Sequence, residues 1–324
     1  MRPQNAAILA PEWPGWRQPG AGLREDVFSS TGFRIRGSHG HASRQLAGWA
    51  EDVVASLFFT FFPADCRICG SPLVRVSRLP VCADCVAGLH PLKGTFCAVC
   101  GEALLSPLFR DRGEALCGLC QRAHPPFGKA VAYGSYDTGL RDQIHLLKYQ
   151  QIRPAAKVLG RLWSEAIRNI EAMIPDGIIA VVPVPLHRRK QKQRGFNQSE
   201  LIGQSALREL AKPERFELCA GTLIRCHETA SQIGLTRHQR RENMRGAFVV
   251  SNSHQIVGRQ VLLVDDVFTT GTTVSECSRV LLRAGAAGVW VVTVARTLKT
   301  ADILAMPERV SEERKEGDAV VARA

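Results

Sequence analysis

The chain lacks the features that mark membrane-spanning and secreted proteins. None of its apolar runs reaches the roughly 18 residues that a membrane-spanning helix needs. The longest candidate, VVASLFFTFF at Val53–Phe62, ends at Pro63 and predicts a buried or interfacial helix. The first residues do not show a charged segment followed by an apolar one, so we expect no secretory leader and a cytoplasmic protein.

Two common phosphate-binding fingerprints are also missing. The sequence has no Gly-x-x-x-x-Gly-Lys-Ser/Thr stretch, which argues against a P-loop, and no Gly-x-Gly-x-x-Gly after its first predicted strand, which argues against a dinucleotide fold. Aromatic residues are few, with five Trp and three Tyr, which limits the surface for stacking bases along a dedicated groove. Positive charge is abundant instead: the net charge of +12 favours nucleic acid, phosphorylated metabolites or an anionic surface as partners.

Composition and apolar periodicity divide the chain into four parts. Residues 1–43 show no apolar periodicity and predict a disordered extension. Residues 44–125 hold a predicted helix and a Cys-rich segment, residues 126–298 alternate strands with helices, and residues 299–324 form a charged tail. Because the apolar strands are continuous rather than alternating, we expect an α/β fold in which helices cover both faces of a parallel sheet.

Short apolar runs predict strands, and apolar residues repeated with a 3.6-residue period predict helices. We predict strands at Ala130–Tyr136, Ile178–Val184, Phe216–Leu223, Ala247–Val250, Val261–Asp265 and Val289–Ala295. We predict helices at Gly139–Tyr149, Ala155–Met173, Gln198–Leu210 and Thr273–Ala284.

Eight of the eleven cysteines form Cys-x-x-Cys pairs. A two-residue gap lets both thiolates bind one metal, and two pairs complete a tetrahedron, so we predict two structural Zn(Cys)4 sites. Redox-active dithiols and an iron–sulfur cluster are the alternatives. We prefer an arrangement in which two Cys-x-x-Cys pairs that follow each other in the sequence share one metal. A cross-braced arrangement is the alternative, and both stay open at this point. The predicted metal ligands are Cys66, Cys69, Cys82, Cys85, Cys97, Cys100, Cys117 and Cys120.

The stretch VLLVDDVFTTGTT, Val261–Thr273, places Asp265 and Asp266 at the carboxyl end of a predicted strand, where ligands bind in open α/β sheets. Two neighbouring carboxylates can accept hydrogen bonds from the vicinal hydroxyls of a ribose. The hydroxyl-rich loop that follows precedes a helix that Thr272 or Thr273 would cap, and it offers amides, hydroxyls and the helix dipole to a phosphate. The pattern predicts a ribose 5-phosphate site; an acidic strand end with an ordinary capping turn is the alternative.

Two basic segments, LHRRKQKQRGFNQSE and ETASQIGLTRHQRRENMRGAF, lie between predicted strands. Cations that follow a buried strand suit a pyrophosphate, Gly195 permits a tight turn, and Asn197 or Ser199 can start the next helix. A solvent-exposed helical face is the alternative for both segments. The candidate pyrophosphate ligands are Arg188, Arg194, Asn197, Gln198, Gln232, Arg237, Arg241 and Asn243.

VLLVDDVFTTGTT resembles the phosphoribosyl pyrophosphate motif of type I phosphoribosyltransferases. Residues 50–298 as a whole resemble the ComF family. The resemblance rests on this motif, the two basic segments, the Cys-x-x-Cys pairs and a segment that runs from Tyr136 to LKY at 147–149. The resemblance implies a type I phosphoribosyltransferase-like parallel sheet, with helices on both faces, that follows a double zinc ribbon. It also implies that Asp265 and Asp266 hold the ribose hydroxyls. The residues implied for the 5-phosphate are Thr269, Thr270, Gly271, Thr272 and Thr273.

The ComF family is linked to the uptake and use of external DNA, and two functions remain open for the chain. In the first, it binds phosphoribosyl pyrophosphate with Mg2+ and transfers the phosphoribosyl group to a nitrogen nucleophile, with Arg194 and Lys148 as candidate catalytic residues. In the second, the fold serves as a non-catalytic module that binds single-stranded DNA or proteins of the DNA-uptake machinery. No residue implies a particular acceptor.

Overall fold

The computed structural model of the chain describes residues 64–73, 77–104, 115–227 and 237–298. The predicted extension at residues 1–43, the predicted helix Val53–Phe62 and the predicted tail therefore lie outside the described residues. Within the described ranges, none of the helices has the length and apolar character needed to cross a membrane.

A five-stranded parallel sheet forms the centre of the described structure. Its strands lie in the order β1-β7-β6-β2-β3, and β4 and β5 form a separate antiparallel pair. The strands of the described residues are β1 (Ala130–Ser135), β2 (Ile179–Pro183), β3 (Phe216–Leu218), β4 (Leu223–Arg225), β5 (Phe248–Val250), β6 (Gln260–Phe268) and β7 (Gly288–Arg296).

Helices cover both faces of this sheet. Alternate residues of β6 face opposite sides: Leu262 and Val264 pack in a core with α3, α4 and α6, whereas Val261 and Leu263 pack in a core with α8. The predicted α/β class is thus confirmed. The helices are α1 (Ala83–Ala87), α2 (Gly118–Arg122), α3 (Thr138–Tyr149), α4 (Ala155–Ile167), α5 (Arg188–Arg194), α6 (Gln198–Leu207), α7 (Arg237–Met244) and α8 (Thr272–Arg283).

Two predicted strands differ from those in the structure. Strand β6 continues three residues past Asp265, because Val267 and Phe268 pair with Ala295 and Arg296 of β7. The predicted strand Phe216–Leu223 is wrong as one element, since the chain turns at Gly221, where φ is +79°, and passes from β3 in the large sheet to β4 in the small one.

Three helical predictions also change. Helix α4 ends at Ile167 rather than Met173, and 3-10 hydrogen bonds such as Ile170 N to Ile167 O (2.9 Å) tighten the chain beyond it. Both basic segments contain a helix, α5 and α7, which we gave only as the alternative. Lys, Arg and Gln favour helix even without an apolar stripe.

Close contact between α4 and α6 fixes the position of the carboxyl-terminal turn of α6. At Gly160 of α4, a Cβ atom would lie 2.6 Å from Ser205 Cβ and 2.8 Å from the backbone nitrogen of Ala206. Only glycine lets the two helices approach so closely. Helix α6 therefore has a defined position against β6, next to the two aspartates.

The Cys-rich segment packs on both faces of the sheet and is tied to β1 by backbone hydrogen bonds. Its first part, with Cys66, joins the core of α3, α4 and α6, and its second part, with Cys97, joins the core of α8. The nitrogen of Leu92 donates to the carbonyl of Tyr133 (2.7 Å), and the nitrogen of Ala130 donates to the carbonyl of Val99 (2.7 Å). The segment is thus an integral layer of the folded unit.

Candidate functional site

Asp265 and Asp266 lie near the carboxyl end of β6 and contact residues from two helices. Asp265 Oδ1 accepts a hydrogen bond from Ser199 Oγ at 3.2 Å and another from the backbone nitrogen of Asp266 at 2.9 Å. Ser199 is buried in the first turn of α6. The side chain of Asp266 is turned toward α3. The structure thus brings the predicted acids together at the carboxyl edge of the sheet, as the motif implied.

Lys148 of α3 forms an ion pair with Asp266, with Nζ 2.7 Å from Oδ2. The side chains are 16% and 6% exposed, so little water screens the pair. Burial by itself lowers the pKa of Lys148, but the charges of Asp266 and Asp265 outweigh it and raise the pKa above the ordinary value. Lys148 is therefore a fixed cation, and its geometry favours charge balance over proton transfer.

Asp265 titrates in the neutral range. Burial and the negative charge of Asp266 raise its pKa to about 7, while Lys148 and the hydrogen bond from Ser199 act in the opposite direction. One lysine next to two carboxylates leaves Asp265 incompletely compensated. The charge of the Asp265 carboxyl group therefore changes near pH 7.

The loop after β6 leads into α8 at Gly271. Gly271 is the N-cap residue with φ of +75°, and a Cβ atom there would lie 2.6 Å from Phe268 Cζ, so both backbone and space require glycine. The prediction that Thr272 or Thr273 caps the helix is wrong, since both lie in its first turn. Among the residues that the structure describes, no side chain makes a capping hydrogen bond at this end of α8, which leaves its first amides for an anion. The hydroxyls of Thr270 and Thr272 are 2.9 Å apart beside these amides.

A cavity of about 290 Å3 lies between the loop that precedes α8 and the Cys-rich segment. The loop residues 269–272 line it together with Glu276 and Arg279 of α8, and Cys120 and His124 lie opposite. Arg279 pairs with Glu276, and Arg296 pairs with Glu102 across the same space. The loop is therefore accessible from this cavity. The second part of the Cys-rich segment forms one wall of the cavity.

Arg194, at the end of α5, is held by contacts with α6 and with the last residue of α3. Its Nη1 donates to Gln198 Oε1 at 2.8 Å, and its guanidinium lies 5.4 Å from the centroid of the Tyr149 ring. Gly195, with φ of +75°, forms the tight turn that we predicted. Asn197 caps α6 by accepting from Ser199 N at 3.1 Å, and its amide nitrogen donates to the Val184 carbonyl at 3.1 Å. Both ends of Asn197 thus act within the protein.

The other predicted pyrophosphate ligands are less well placed or less fully described. Arg188 is exposed in the first turn of α5. Asn243, Arg237 and Arg241 lie in α7, and the side chains of the two arginines are outside the described part. Gln232 lies outside the described residues. Helix α7 ends beside α8, because the nitrogen of Gly246 donates to Glu276 Oε1 at 3.1 Å.

Sequence reasoning missed several residues of this site. Ser199 was considered only as a helix start, and its contact with Asp265 is long-range. His145 contacts the hydroxyl of Tyr136 at 3.2 Å and packs edge-on against the ring of Tyr149, with the ring centroids 5.0 Å apart. The four-residue spacing of His145 and Tyr149 on a helix was the available signal.

The eight paired cysteines form two compact clusters. Within each cluster, the four sulfur atoms all lie within 4.8 Å of one another. Sulfur separations of 3.8 Å (Cys66–Cys85) and 3.6 Å (Cys69–Cys82, Cys100–Cys117) agree with the edge of about 3.8 Å that Zn–S bonds give in a tetrahedron. Both clusters are thus consistent with zinc sites. The predicted pairing of neighbouring pairs is confirmed, with Cys66, Cys69, Cys82 and Cys85 in one cluster and Cys97, Cys100, Cys117 and Cys120 in the other.

Comparison with known proteins identifies two domain families in the chain. Residues 57–121 match the double zinc ribbon domain, and residues 204–319 match the phosphoribosyl transferase domain. The chain is 34% identical over 240 residues to the DNA utilization protein YhgH of Escherichia coli strain K12, which covers 73% of this chain and 98% of that protein.

Two competence proteins are similar as well. Competence protein F of Haemophilus influenzae is 32% identical over 227 residues, which covers 66% of this chain and 96% of that protein. Competence protein ComFC of Bacillus subtilis strain 168 is 23% identical over 214 residues, which covers 64% of this chain and 80% of that protein.

We expect the purified protein to hold two zinc ions per chain, as measured by inductively coupled plasma mass spectrometry. Cys100→Ser should lose one ion and lower the midpoint of thermal unfolding, because the free energy of metal binding contributes to folding. The matched control is Cys226→Ser, since Cys226 is exposed and outside both clusters. Iron in place of zinc, or a full zinc content in Cys100→Ser, would contradict the assignment.

Proposed function

The chain belongs to the ComF/YhgH family of competence and DNA-utilisation proteins, with a double zinc ribbon and a phosphoribosyltransferase domain, and we propose that it binds a ribose 5-phosphate at Asp265, Asp266 and the loop before α8. The ligand is free ribose 5-phosphate or phosphoribosyl pyrophosphate with Mg2+. The observation that carries the proposal is the juxtaposition of two carboxylates with helix amides that no side chain caps. From its relatives we also propose a role in DNA utilisation.

The acid pair suits the hydroxyl groups of the sugar. A carboxylate can accept about four hydrogen bonds, so Asp265 and Asp266 retain acceptor capacity beyond their contacts with Ser199 and Lys148. The positive charge of Lys148 lies between the acids and the solvent-facing end of α3, where it offsets their repulsion of an anionic ligand. Charge balance at the acid pair is therefore part of the binding site.

The phosphate is placed at the amino end of α8. Backbone amides after Gly271, the hydroxyls of Thr270 and Thr272, and the positive end of the helix dipole all favour an anion there. Mg2+ prefers carboxylate and phosphate oxygens, so Asp265 and Asp266 fit its donor preferences when it arrives with a pyrophosphate. Arg194 lies within reach of the same edge of the sheet through its contact with Gln198.

With phosphoribosyl pyrophosphate as ligand, the corresponding activity is transfer to a nitrogen nucleophile. The bond from C1 of the ribose to the pyrophosphate oxygen breaks, and a bond from C1 to nitrogen forms. Negative charge grows on the leaving pyrophosphate, and a preorganised cation such as Arg194 stabilises it. Lys148, engaged by Asp266, acts through the acid pair as a positioning residue.

We expect ribose 5-phosphate to bind at least about tenfold more tightly than 2-deoxyribose 5-phosphate at pH 8, because a hydrogen bond to a charged group contributes about 1.5–3 kcal/mol. The preference should weaken at pH 6. Asp265, with a pKa of about 7 without ligand, is then protonated and a poorer acceptor for a hydroxyl. Isothermal titration calorimetry at both pH values measures the ratio of the two affinities. Because both ligands carry the same phosphate group, its titration changes both affinities equally and leaves their ratio unchanged.

The matched variant for this experiment is Asp265→Asn, which keeps the size of the side chain and leaves the Lys148–Asp266 pair in place. It should lose the pH dependence of the sugar preference. Equal affinity for the two sugars at pH 8, or an unchanged pH dependence in Asp265→Asn, would show that the acids do not hold the ribose.

A second candidate function is binding of single-stranded DNA, and the composition of α5 favours it. This seven-residue helix carries Arg188, Arg189, Lys190, Lys192 and Arg194, and all but the last are exposed. A dense cationic helix attracts a phosphate backbone without reading its sequence. This function is compatible with the sugar-phosphate site, since α5 lies beside that site.

If DNA binds along α5, the logarithm of the association constant for a single-stranded oligonucleotide should fall linearly with the logarithm of the salt concentration. The double variant Arg188→Gln/Lys192→Gln should reduce the slope by about 1.4, since each phosphate contact with a single strand contributes about 0.7. Lys157→Gln/Arg208→Gln is the control with the same charge change at exposed positions elsewhere. Fluorescence anisotropy measures the slope, and a slope that is flat, or equal in both double variants, would exclude α5 as the DNA site.

A further inference from the structure

Tyr149, the last residue of α3, is unusually exposed for a large side chain held in fixed surroundings. Its exposed fraction is 66%, the largest among the exposed large apolar side chains of the described residues. A single exposed aromatic residue is common on protein surfaces and indicates nothing by itself. The neighbours of Tyr149 make it different.

Two neighbours hold the ring of Tyr149 in place. The imidazole of His145, one helical turn earlier, meets it at an interplanar angle of 72°. His145 is itself fixed by the hydroxyl of Tyr136, and burial together with the charges of Arg141 and Lys148 lowers its pKa, so the imidazole is neutral at pH 7. It therefore packs as an aromatic ring. The Tyr149 ring is positioned before any ligand arrives.

The second neighbour is the guanidinium of Arg194, which lies over the ring at 5.4 Å from its centroid. Its hydrogen bond to Gln198 fixes its orientation. A guanidinium plane and an aromatic face are the two surfaces on which proteins stack nucleobases, and here they are adjacent. Most of the Tyr149 ring surface nevertheless stays open to solvent.

The group formed by Tyr149, His145 and Arg194 is connected to the acid pair through neighbouring residues. Tyr149 follows Lys148, whose Nζ contacts Asp266, and Gln198 precedes Ser199, whose hydroxyl contacts Asp265. Tyr149 is thus adjacent in the chain to a residue that contacts Asp266, and Arg194 is hydrogen-bonded to the residue that precedes the one that contacts Asp265. In a nucleotide, the base and the 5-phosphate are attached to one ribose, so a ribose at the acids brings its base to this edge of the site.

We propose that Tyr149, His145 and Arg194 form a stacking platform for a nucleobase beside the acid pair. The ligand class is a planar purine or pyrimidine, either in a nucleoside monophosphate or in single-stranded DNA. Stacking uses the π-face that every base has, so the platform binds bases with little preference among them. The inference rests on the proposed ribose 5-phosphate site for the placement of the sugar, but the platform can be tested separately.

The probe is 2-aminopurine, whose fluorescence is quenched when it stacks. It is used as the ribonucleoside 5-monophosphate and, in a second arm, as one base in a single-stranded oligodeoxynucleotide. Tyr149→Ala should weaken binding of at least one probe about tenfold or more and remove the quenching, whereas Tyr149→Phe should behave as the wild type. Tyr149→Leu keeps apolar bulk without a π-face and should behave as Tyr149→Ala.

The control variant is Ile178→Ala, which removes another exposed apolar side chain, at the opposite, amino end of β2. Ribose 5-phosphate, titrated by calorimetry, should bind Tyr149→Ala as it binds the wild type. Quenching of the nucleotide alone identifies a small-molecule ligand, and quenching of the oligonucleotide identifies a strand; both support the platform.

The platform is wrong if neither probe is quenched by the wild type, or if Tyr149→Ala binds both probes with wild-type affinity. These outcomes are separate from a failure of the sugar-phosphate site. If ribose 5-phosphate does not bind the wild type while the Tyr149 variants still change the quenching, the proposed function fails and the platform holds.

Discussion

The site is organised around two neighbouring carboxylates that the fold places at the end of a buried strand and must compensate there. Lys148 supplies the nearest cation, 2.7 Å from Asp266, and the hydroxyl of Ser199 supplies a hydrogen bond to Asp265. Because a buried charge without a partner is strongly destabilising, this requirement joins α3 and α6 to β6. Asp265 is left incompletely balanced, and burial together with the charge of Asp266 raises its pKa to about 7.

The same arrangement gives each surrounding element a function. Gly160 lets the carboxyl-terminal turn of α6 approach α4 closely, and Gly271 is the N-cap residue at which α8 begins. The Cys-rich segment packs on both faces of the sheet and forms one wall of the cavity beside the loop that precedes α8. Zinc clusters whose positions are all taken by cysteine leave no place for a substrate, so we infer that they stabilise this wall rather than react.

Much of this arrangement was predictable from local sequence. Apolar runs identified the strands, Cys-x-x-Cys spacing identified the clusters, and VLLVDDVFTTGTT identified the acids and the loop. The contacts of Lys148 with Asp266 and of Ser199 with Asp265 were not predictable, because they join residues far apart in the chain. Local pattern gave the helix α5 only as an alternative for its basic segment. It missed the extension of β6, since this extension depends on pairing with β7. The residues assigned to ligand binding remain predictions.

The most direct test of the account is a calorimetric titration of phosphoribosyl pyrophosphate with Mg2+ into the wild type and Asp265→Asn. The account predicts one binding site per chain in the wild type and an affinity reduced at least about tenfold in the variant, in keeping with the loss of hydrogen bonds to a charged acceptor. The folding of the variant should be intact, because the Lys148–Asp266 pair remains. Equal affinities of the two proteins, or no binding to the wild type, would contradict the assignment of the acid pair to the ribose.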